Sequence, residues 1–154
     1  MELNQVLVVE DTQKHQESAV RALGEFSVNL FDNLRDFLKG LEDVRKVGGK
    51  VWVLTDLFFP HRKGDNHGEL APLGLLVMMK CQELGIPCVV VTAGYHHGSK
   101  YHQATSALTS LRLWHDDHLV DHHDRDGSEA EANEKNWLGG LEKLKALAAK
   151  IGAG

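Results

Sequence analysis

Five short apolar runs, each followed by a segment in which apolar residues recur at helical spacing, constrain the fold of this chain more than any other feature. The runs are Val6–Val9, Ser27–Phe31, Val51–Leu54, Cys88–Val91 and His118–Asp121. Short runs rich in β-branched residues are typical of buried strands, and strands that alternate with helices are typical of a parallel sheet with helices on both faces. The pattern therefore predicts an α/β chain.

Right-handed crossovers leave few arrangements for five such βα units, and we expect a doubly wound, five-stranded parallel sheet of flavodoxin-like topology. The length, 154 residues, suits one domain over residues 1–154. Ser128 and Glu131 form a capping box before the last predicted helix. Two connections, about 60–71 and 122–128, are long for a compact α/β domain, which predicts functional loops.

Composition excludes several classes of function. Lys and Arg total 17 against 22 Asp and Glu, for a formal charge of -5, so we expect no nucleic-acid partner. No apolar run approaches the length of a membrane span and no secretory signal opens the chain, so we expect a cytoplasmic protein without a membrane partner. The two cysteines, Cys81 and Cys88, are expected to be reduced core thiols.

Carboxylates follow two of the predicted central strands. Glu10 and Asp11 follow the first strand, Asp56 follows the third, and Thr92 follows the fourth. Ligands of open parallel sheets bind at the carboxyl ends of the strands, so these side chains are expected to meet there. Carboxylates that lie this close together repel each other unless a cation neutralises them. A site made only of oxygen ligands suits Mg²⁺.

The runs VLVVED, VLTDLFFP and VVVTAG resemble the receiver domain of bacterial response regulators, over most of the chain. The resemblance implies that Glu10 and Asp11 bind Mg²⁺ and that Asp56 accepts a phosphoryl group. It further implies that the backbone carbonyl of Phe58 completes the metal shell and that Thr92 is the switch hydroxyl. The implied partners are a sensor histidine kinase or phosphotransfer protein and a downstream protein target, with a homodimer left open. Such a chain phosphorylates itself at most and is not otherwise an enzyme.

One position departs from the family pattern. Receivers carry a lysine after strand five, where this chain has Asp121. A lysine there neutralises phosphoryl oxygens, whereas an aspartate repels them. Lys100 and Lys135 are the nearest cations in sequence, neither follows the family pattern, and Lys100 is the substitute that we assign to the site.

Ten histidines are an unusual number for this length. Several follow predicted strands and form what we call the His-rich rim: His61, His67, His96, His97, His122 and His123. Their spacing matches no HExxH, CxxC or EF-hand pattern. Three hypotheses remain: a receiver phosphorylated on Asp56, a pseudo-receiver that binds proteins without taking phosphate, and a metal-binding protein or small hydrolase that uses the rim.

Overall fold

A computed structural model describes residues 5–65, 70–92, 99–110, 119–121 and 135–153, the ranges to which every structural statement below refers. Strands and helices alternate along the chain, as the apolar runs predict. The strands are β1 (Gln5–Val9), β2 (Ser27–Phe31), β3 (Val51–Thr55), β4 (Cys88–Thr92) and β5 (Leu119–Asp121). The helices are α1 (Gln13–Ala22), α2 (Leu34–Val47), α3 (Gly74–Leu84), α4 (Ser99–Ser110) and α5 (Trp137–Ala153).

The strands form one parallel sheet in the order β2-β1-β3-β4-β5. Four strands have five residues each, and β5, at one edge, has three. The α/β class and the parallel sheet are therefore confirmed. The strand order is one of the common orders of doubly wound sheets.

Helices pack on both faces of the sheet and create two apolar cores. One core joins the sheet to α2, α3 and α4 through side chains such as Phe37, Met78 and Leu108. The other joins the opposite face to α1 and α5 through Leu23, Trp137 and others. All five residues of β4 are buried because helices cover both faces of the sheet. A strand covered in this way must be apolar at consecutive positions, which explains the run Cys88–Val91.

The buried stripes of the helices are narrower than the apolar spacing predicts. Apolar residues at helical spacing are predicted to face the core. Four of them are nevertheless more than a third exposed: Val20 of α1, Leu38 of α2, Leu76 of α3 and Leu138 of α5. Small or flexible side chains fill the core instead, such as Cys81 and Met78 of α3. The difference arises because helical spacing alone cannot define which edge of an apolar stripe meets the sheet.

The chain after β3 remains in the core before it leaves the sheet. Leu57, Phe58 and Phe59 are buried, and the carbonyl of Pro60 accepts a hydrogen bond from the Leu34 amide at the start of α2 (3.1 Å). The predicted loop 60–71 begins only after this segment, and the loop 122–128 lies outside the described residues. In the described ranges, no helix combines the length and apolar character that a bilayer crossing requires.

Candidate functional site

The site lies where the strand order reverses. From β1 the chain crosses to β2 on one side, and the later strands are added on the other side, so the reversal falls between β1 and β3. Doubly wound sheets bind ligands at such a point, at the carboxyl ends of the strands. Glu10 follows β1 and Asp56 follows β3, and the Asp56 amide donates to the Val9 carbonyl at 2.8 Å. This hydrogen bond continues the β1–β3 ladder by one residue, as far as the acidic residues.

Three carboxylates predicted from the sequence meet at this point. One oxygen each of Glu10, Asp11 and Asp56 lie within 4.8 Å of one another. Glu10 is fully buried, Asp56 is 8% exposed and Asp11 is half-buried. Burial removes water that would otherwise screen the repulsion, so the cluster needs a positive partner.

Lys135 is that partner. Its ammonium forms an ion pair with the Glu10 carboxylate and a second with Asp56, where Nζ lies 3.0 Å from Oδ1. Only 3% of the Lys135 side chain is exposed. An ammonium so deeply buried is tolerated only when carboxylates compensate its lost hydration, which two of them do here.

The start of α5 holds Lys135 in place. Asn136 caps the helix, because its Oδ1 accepts a hydrogen bond from the Gly139 amide at 3.0 Å. The buried indole of Trp137 donates to the Ser18 hydroxyl of α1 at 3.0 Å, and the Lys135 ammonium lies 5.7 Å from the Trp137 ring centroid. These contacts tie the beginning of α5 to α1 and so orient the lysine towards the carboxyl ends of β1 and β3.

Two glycines let α5 begin this close to its neighbours. A Cβ on Gly139 would lie 2.8 Å from Cγ of the capping Asn136, and a Cβ on Gly140 would lie 2.6 Å from Cγ2 of Val91 in β4. Both distances are shorter than a normal carbon contact. The Gly139–Gly140 pair therefore gives room for the cap on one side and the sheet on the other.

Backbone and side-chain amides also position Glu10 and Asp56. The Thr12 amide donates to Oε2 of Glu10 at 3.1 Å, and the Gln16 side-chain amide donates to the Glu10 carbonyl at 2.6 Å. The Leu57 amide donates to Oδ1 of Asp56 at 2.7 Å. Oδ1 of Asp56 thus accepts from both Leu57 and Lys135, which orients the carboxylate.

The cluster carries more acidic groups than one ammonium neutralises. Burial raises the pKa of Glu10 to about 8; Lys135 opposes this rise and the nearby Asp56 adds to it. Burial and then the charge of Asp56 also raise the pKa of Asp11. Burial alone would lower the pKa of Lys135, but the carboxylates of Asp56 and Glu10 outweigh it and raise that pKa. The site therefore favours uptake of a further positive charge, either a proton or a metal ion.

The donor set fits a divalent cation of the Mg²⁺ type. Carboxylate oxygens are the preferred ligands of hard cations, and Glu10, Asp11 and Asp56 each offer one within mutual reach. Phe58 is buried two residues beyond Asp56, and the role of its carbonyl as a ligand stays a prediction.

Thr92 and Lys100 have the locations that the sequence indicates. Thr92 is the last residue of β4 and is fully buried, and since Thr55 pairs with Val90, it lies at the same edge of the sheet as Asp56. Asp121 ends β5 with its backbone in register with Thr92. Lys100 is in the first turn of α4. The switch role of Thr92 and the substitute role of Lys100 stay predictions.

Sequence reasoning named Lys135 but assigned the cation to Lys100. Lys135 lies 14 residues after the end of β5, whereas the family pattern expects the lysine directly after that strand. The available signal was the cap Asn136 followed by Gly139–Gly140, which marks the true start of the last helix. The capping box that we predicted instead, Ser128 with Glu131, lies outside the described residues.

Most of the His-rich rim also lies outside the described residues, namely His67, His96, His97, His122 and His123, as do His115 and His118. His61 is exposed, and its carbonyl accepts a hydrogen bond from the Arg35 amide at 3.0 Å. The hypothesis of a transition-metal site on the rim stays a prediction.

Comparisons with protein-family models, with curated proteins and with solved structures found no match to this chain. The chemistry of the site is thus the basis for any functional conclusion.

Proposed function

We propose that this chain is a phosphoacceptor signalling protein of the response-regulator receiver type, phosphorylated on Asp56 in the presence of Mg²⁺. A histidine kinase or phosphotransfer protein would supply the phosphoryl group, and output would pass through contact with a downstream protein. The proposal includes a cytoplasmic location, the flavodoxin-like topology and the roles predicted above for Thr92 and Phe58.

The observation that carries the proposal is the contact between Lys135 and Asp56, 3.0 Å from Nζ to Oδ1. The strongest argument for a pseudo-receiver was the aspartate at position 121 where receivers have a lysine. A buried ammonium beside Asp56 supplies the same positive charge from the start of α5. The β2-β1-β3-β4-β5 order adds support, because Asp56 then follows a strand at the switch point.

The residues present can perform the transfer. An Asp56 carboxylate oxygen attacks the phosphorus of the donor, so one O–P bond forms while the bond to the leaving group breaks. Lys135, already beside Asp56, can donate a charge-assisted hydrogen bond to the transferred oxygens. Glu10 and Asp11 would hold the metal, and a bound Mg²⁺ supplies further positive charge for those oxygens.

Charge balance would change locally on phosphorylation. Lys135 contacts both Glu10 and Asp56, and a phosphoryl group on Asp56 attracts the ammonium more strongly than a carboxylate does. Because Lys135 directly precedes Asn136, the cap of α5, the new charge can bias the start of that helix and the Trp137–Ser18 contact with α1.

Intact mass after incubation with acetyl phosphate and Mg²⁺ tests the proposal. We expect wild type to gain one phosphoryl group and to release acetate, and Asp56→Asn to gain none. Asp43→Asn, which changes an exposed carboxylate of α2, is the matched control and should behave as wild type. Lys135→Met should fold in a weakly acidic buffer and gain little or no phosphate.

A folded, Mg²⁺-saturated wild type that gains no phosphate would favour the pseudo-receiver hypothesis. Phosphorylation of Asp56→Asn to the same extent as wild type would remove Asp56 from the role of acceptor. Stoichiometric zinc in the purified protein would instead favour the metal-binding or hydrolase hypothesis.

A further inference from the structure

A cavity of about 620 Å³ opens at the edge of the sheet away from the acidic site. Its walls come from the end of α2, the start of β3, the residues just before β4 and the C-terminal half of α5. We call it the Trp52 cleft, and the lining residues used below are Arg45, Lys50, Trp52, Ile86, Lys145 and Ile151. Its volume is within the range of small-molecule sites, roughly 300 to 1,000 Å³.

The cleft is separate from the phosphoacceptor site. Trp52 and Asp56 are four residues apart along one extended stretch, which spans roughly 13 Å at about 3.3 Å per residue. The strands are parallel, so the cleft is at their amino ends whereas the acidic cluster is at their carboxyl ends. A ligand in the cleft would thus not cover Asp56.

The floor of the cleft is apolar and partly aromatic. The Trp52 side chain is half-buried and contacts Phe26, with ring centroids 5.7 Å apart. Ile86 is 8% exposed and belongs to the core on the opposite face of the sheet, and Ile151 is half-buried against the same core as Trp52. A half-buried indole packed against the core offers a rigid surface on which a flat ring can stack.

The rim of the cleft is positively charged. Arg45, Lys50 and Lys145 line it, and the described lining residues include no aspartate or glutamate. Lys145 also lies near two exposed acids outside the cleft, at 3.9 Å from Glu25 and 3.6 Å from Glu142, and such surface pairs contribute little and exchange readily. Three cations around one cavity contrast with the formal charge of -5 for the whole chain. The rim therefore attracts anions although the protein as a whole repels them.

We propose that the Trp52 cleft binds a small aromatic anion. The flat apolar body lies against Trp52 and Ile86, and its carboxylate, sulfonate or phosphate group lies near Arg45 and Lys145. Charge complementarity and the aromatic floor select this class over a neutral aromatic compound and over a simple inorganic anion.

Two fluorescent dyes test the proposal with the full chain. The probe is 8-anilinonaphthalene-1-sulfonate, an aryl sulfonate, and its neutral counterpart is N-phenyl-1-naphthylamine. We expect saturable binding of the anionic dye at one site, with affinity that falls as salt rises. The neutral dye should bind more weakly and without dependence on salt.

Variants then distinguish the floor from the rim. Arg45→Gln and Lys145→Gln should each lower the affinity for the anionic dye by about threefold. The affinity for the neutral dye should stay unchanged. The controls Lys46→Gln and Lys150→Gln remove exposed cations from the same two helices, outside the cleft, and should change neither dye.

Trp52→Ala should lower the affinity for both dyes by about tenfold, because the stacking surface is lost. Since that variant also removes core packing, Ala148→Phe provides a second test. Ala148 lines the cleft, and a phenyl ring there occupies the space of the ligand and should weaken both dyes similarly. The proposal is overturned by anionic-dye affinity that is unchanged in Ala148→Phe, by equal binding of the two dyes, or by no saturable binding at all.

Discussion

Lys135 is the residue on which the acidic cluster depends. Its ammonium is the described cation in contact with both Glu10 and Asp56. Without it, two buried acidic groups beside the half-buried Asp11 would repel one another strongly. Under the proposed function, the same contacts would let one side chain serve stability in the resting state and charge neutralisation after phosphorylation. Stability and proposed function are therefore coupled at this position.

Replacement of Lys135 by methionine tests that dependence. We expect Lys135→Met to lower the free energy of unfolding by about 3 kcal/mol near pH 8, because buried carboxylates lose their partner. The loss should shrink near pH 5, where protonation of Glu10, whose pKa burial raises to about 8, relieves the repulsion. Urea unfolding at both pH values measures it, with Lys145→Met on the half-exposed part of α5 as the control. Equal losses at the two pH values would contradict an electrostatic cause.

Glu10 should make stability depend on pH in an unusual direction. Its pKa is about 8 in the folded chain, above the ordinary value of 4.5, so the folded state binds the proton more tightly than the unfolded state. That contribution to stability is complete below about pH 4.5 and is lost as the pH rises through 8.

We therefore expect Glu10→Gln to flatten the fall in unfolding free energy between pH 5 and 8, measured by urea denaturation in the absence of divalent cations. Exposed Glu17, changed to Gln, is the control and should retain the wild-type slope. Parallel slopes in wild type and Glu10→Gln would exclude Glu10 as the titrating group.

Asp56 contributes repulsion as well as an ion pair. Its negative charge raises the pKa of both Glu10 and Asp11, so its removal should relieve those neighbours. We expect Asp56→Asn to unfold at the same or a higher urea concentration than wild type at pH 8, since Glu10 and Lys135 can still pair and an amide oxygen can accept from Leu57. A large loss of stability would indicate a structural role for Asp56.

At the scale of elements, the site depends on how closely the start of α3 approaches the chain after β3. The Gly74 amide donates to the Leu57 carbonyl at 2.9 Å. A Cβ on Gly74 would collide with the Asp56 carbonyl and would lie 2.9 Å from Cα of Leu57. These are backbone atoms, which cannot rotate away, so only glycine fits there without displacement of the Asp56 segment.

Gly74→Ala should therefore destabilise the chain by about 2 kcal/mol and impair phosphorylation together with it. Gly152→Ala is the control, because a Cβ there meets no atom within 4 Å and alanine favours helix. Thermal unfolding and the acetyl phosphate assay provide the two measurements. Normal phosphorylation in a destabilised Gly74→Ala would show that α3 supports the fold without positioning Asp56.

The elements also explain why Lys135 lies beside Asp56. The cap Asn136, the glycine pair and the Trp137–Ser18 hydrogen bond fix where α5 begins relative to α1 and β4. The position of a charged group is thus set by helix packing rather than by its distance in sequence from a strand. This is why a lysine 14 residues beyond β5 can lie beside Asp56.

At the scale of the molecule, the carboxyl ends and the amino ends of the strands carry groups of opposite charge. The carboxyl edge holds the cluster of Glu10, Asp11 and Asp56, and the amino edge holds the cationic rim of the Trp52 cleft. Opposite fields at the two edges favour different ligands, a divalent cation at one and an aromatic anion at the other.

Mg²⁺ should accordingly stabilise the whole chain. A ligand at ten times its dissociation constant adds about 1.4 kcal/mol to the free energy of unfolding when it binds only the folded state. We expect the melting temperature to rise with Mg²⁺ in wild type and to remain unchanged in the double variant Asp11→Asn, Asp56→Asn. Differential scanning fluorimetry across a Mg²⁺ titration measures this, with Na⁺ at equal ionic strength as the control. An equal rise in the double variant would exclude the acidic cluster as the binding site.

The amino-acid sequence by itself determined the α/β class, the strands β1, β3 and β4 and the convergence of Glu10, Asp11 and Asp56. These follow from local signals: continuous apolar runs specify strands buried on both faces, and parallel strands bring their carboxyl ends to one edge. The exposed apolar residues Leu76 and Leu138 were harder to predict, because spacing on a helix does not say how the helix is rotated against the sheet.

Only the tertiary structure decided which cation meets Asp56 and where the Trp52 cleft opens. From the sequence we assigned the cation to Lys100, since neither Lys100 nor Lys135 follows the family pattern. Lys135 meets Asp56 because α5 packs against α1 and β4, which are distant along the chain. The cleft likewise combines residues from α2, β3 and α5 that no local pattern links. A strand is encoded by its neighbours in sequence, whereas a site is formed by side chains that folding brings together from distant segments.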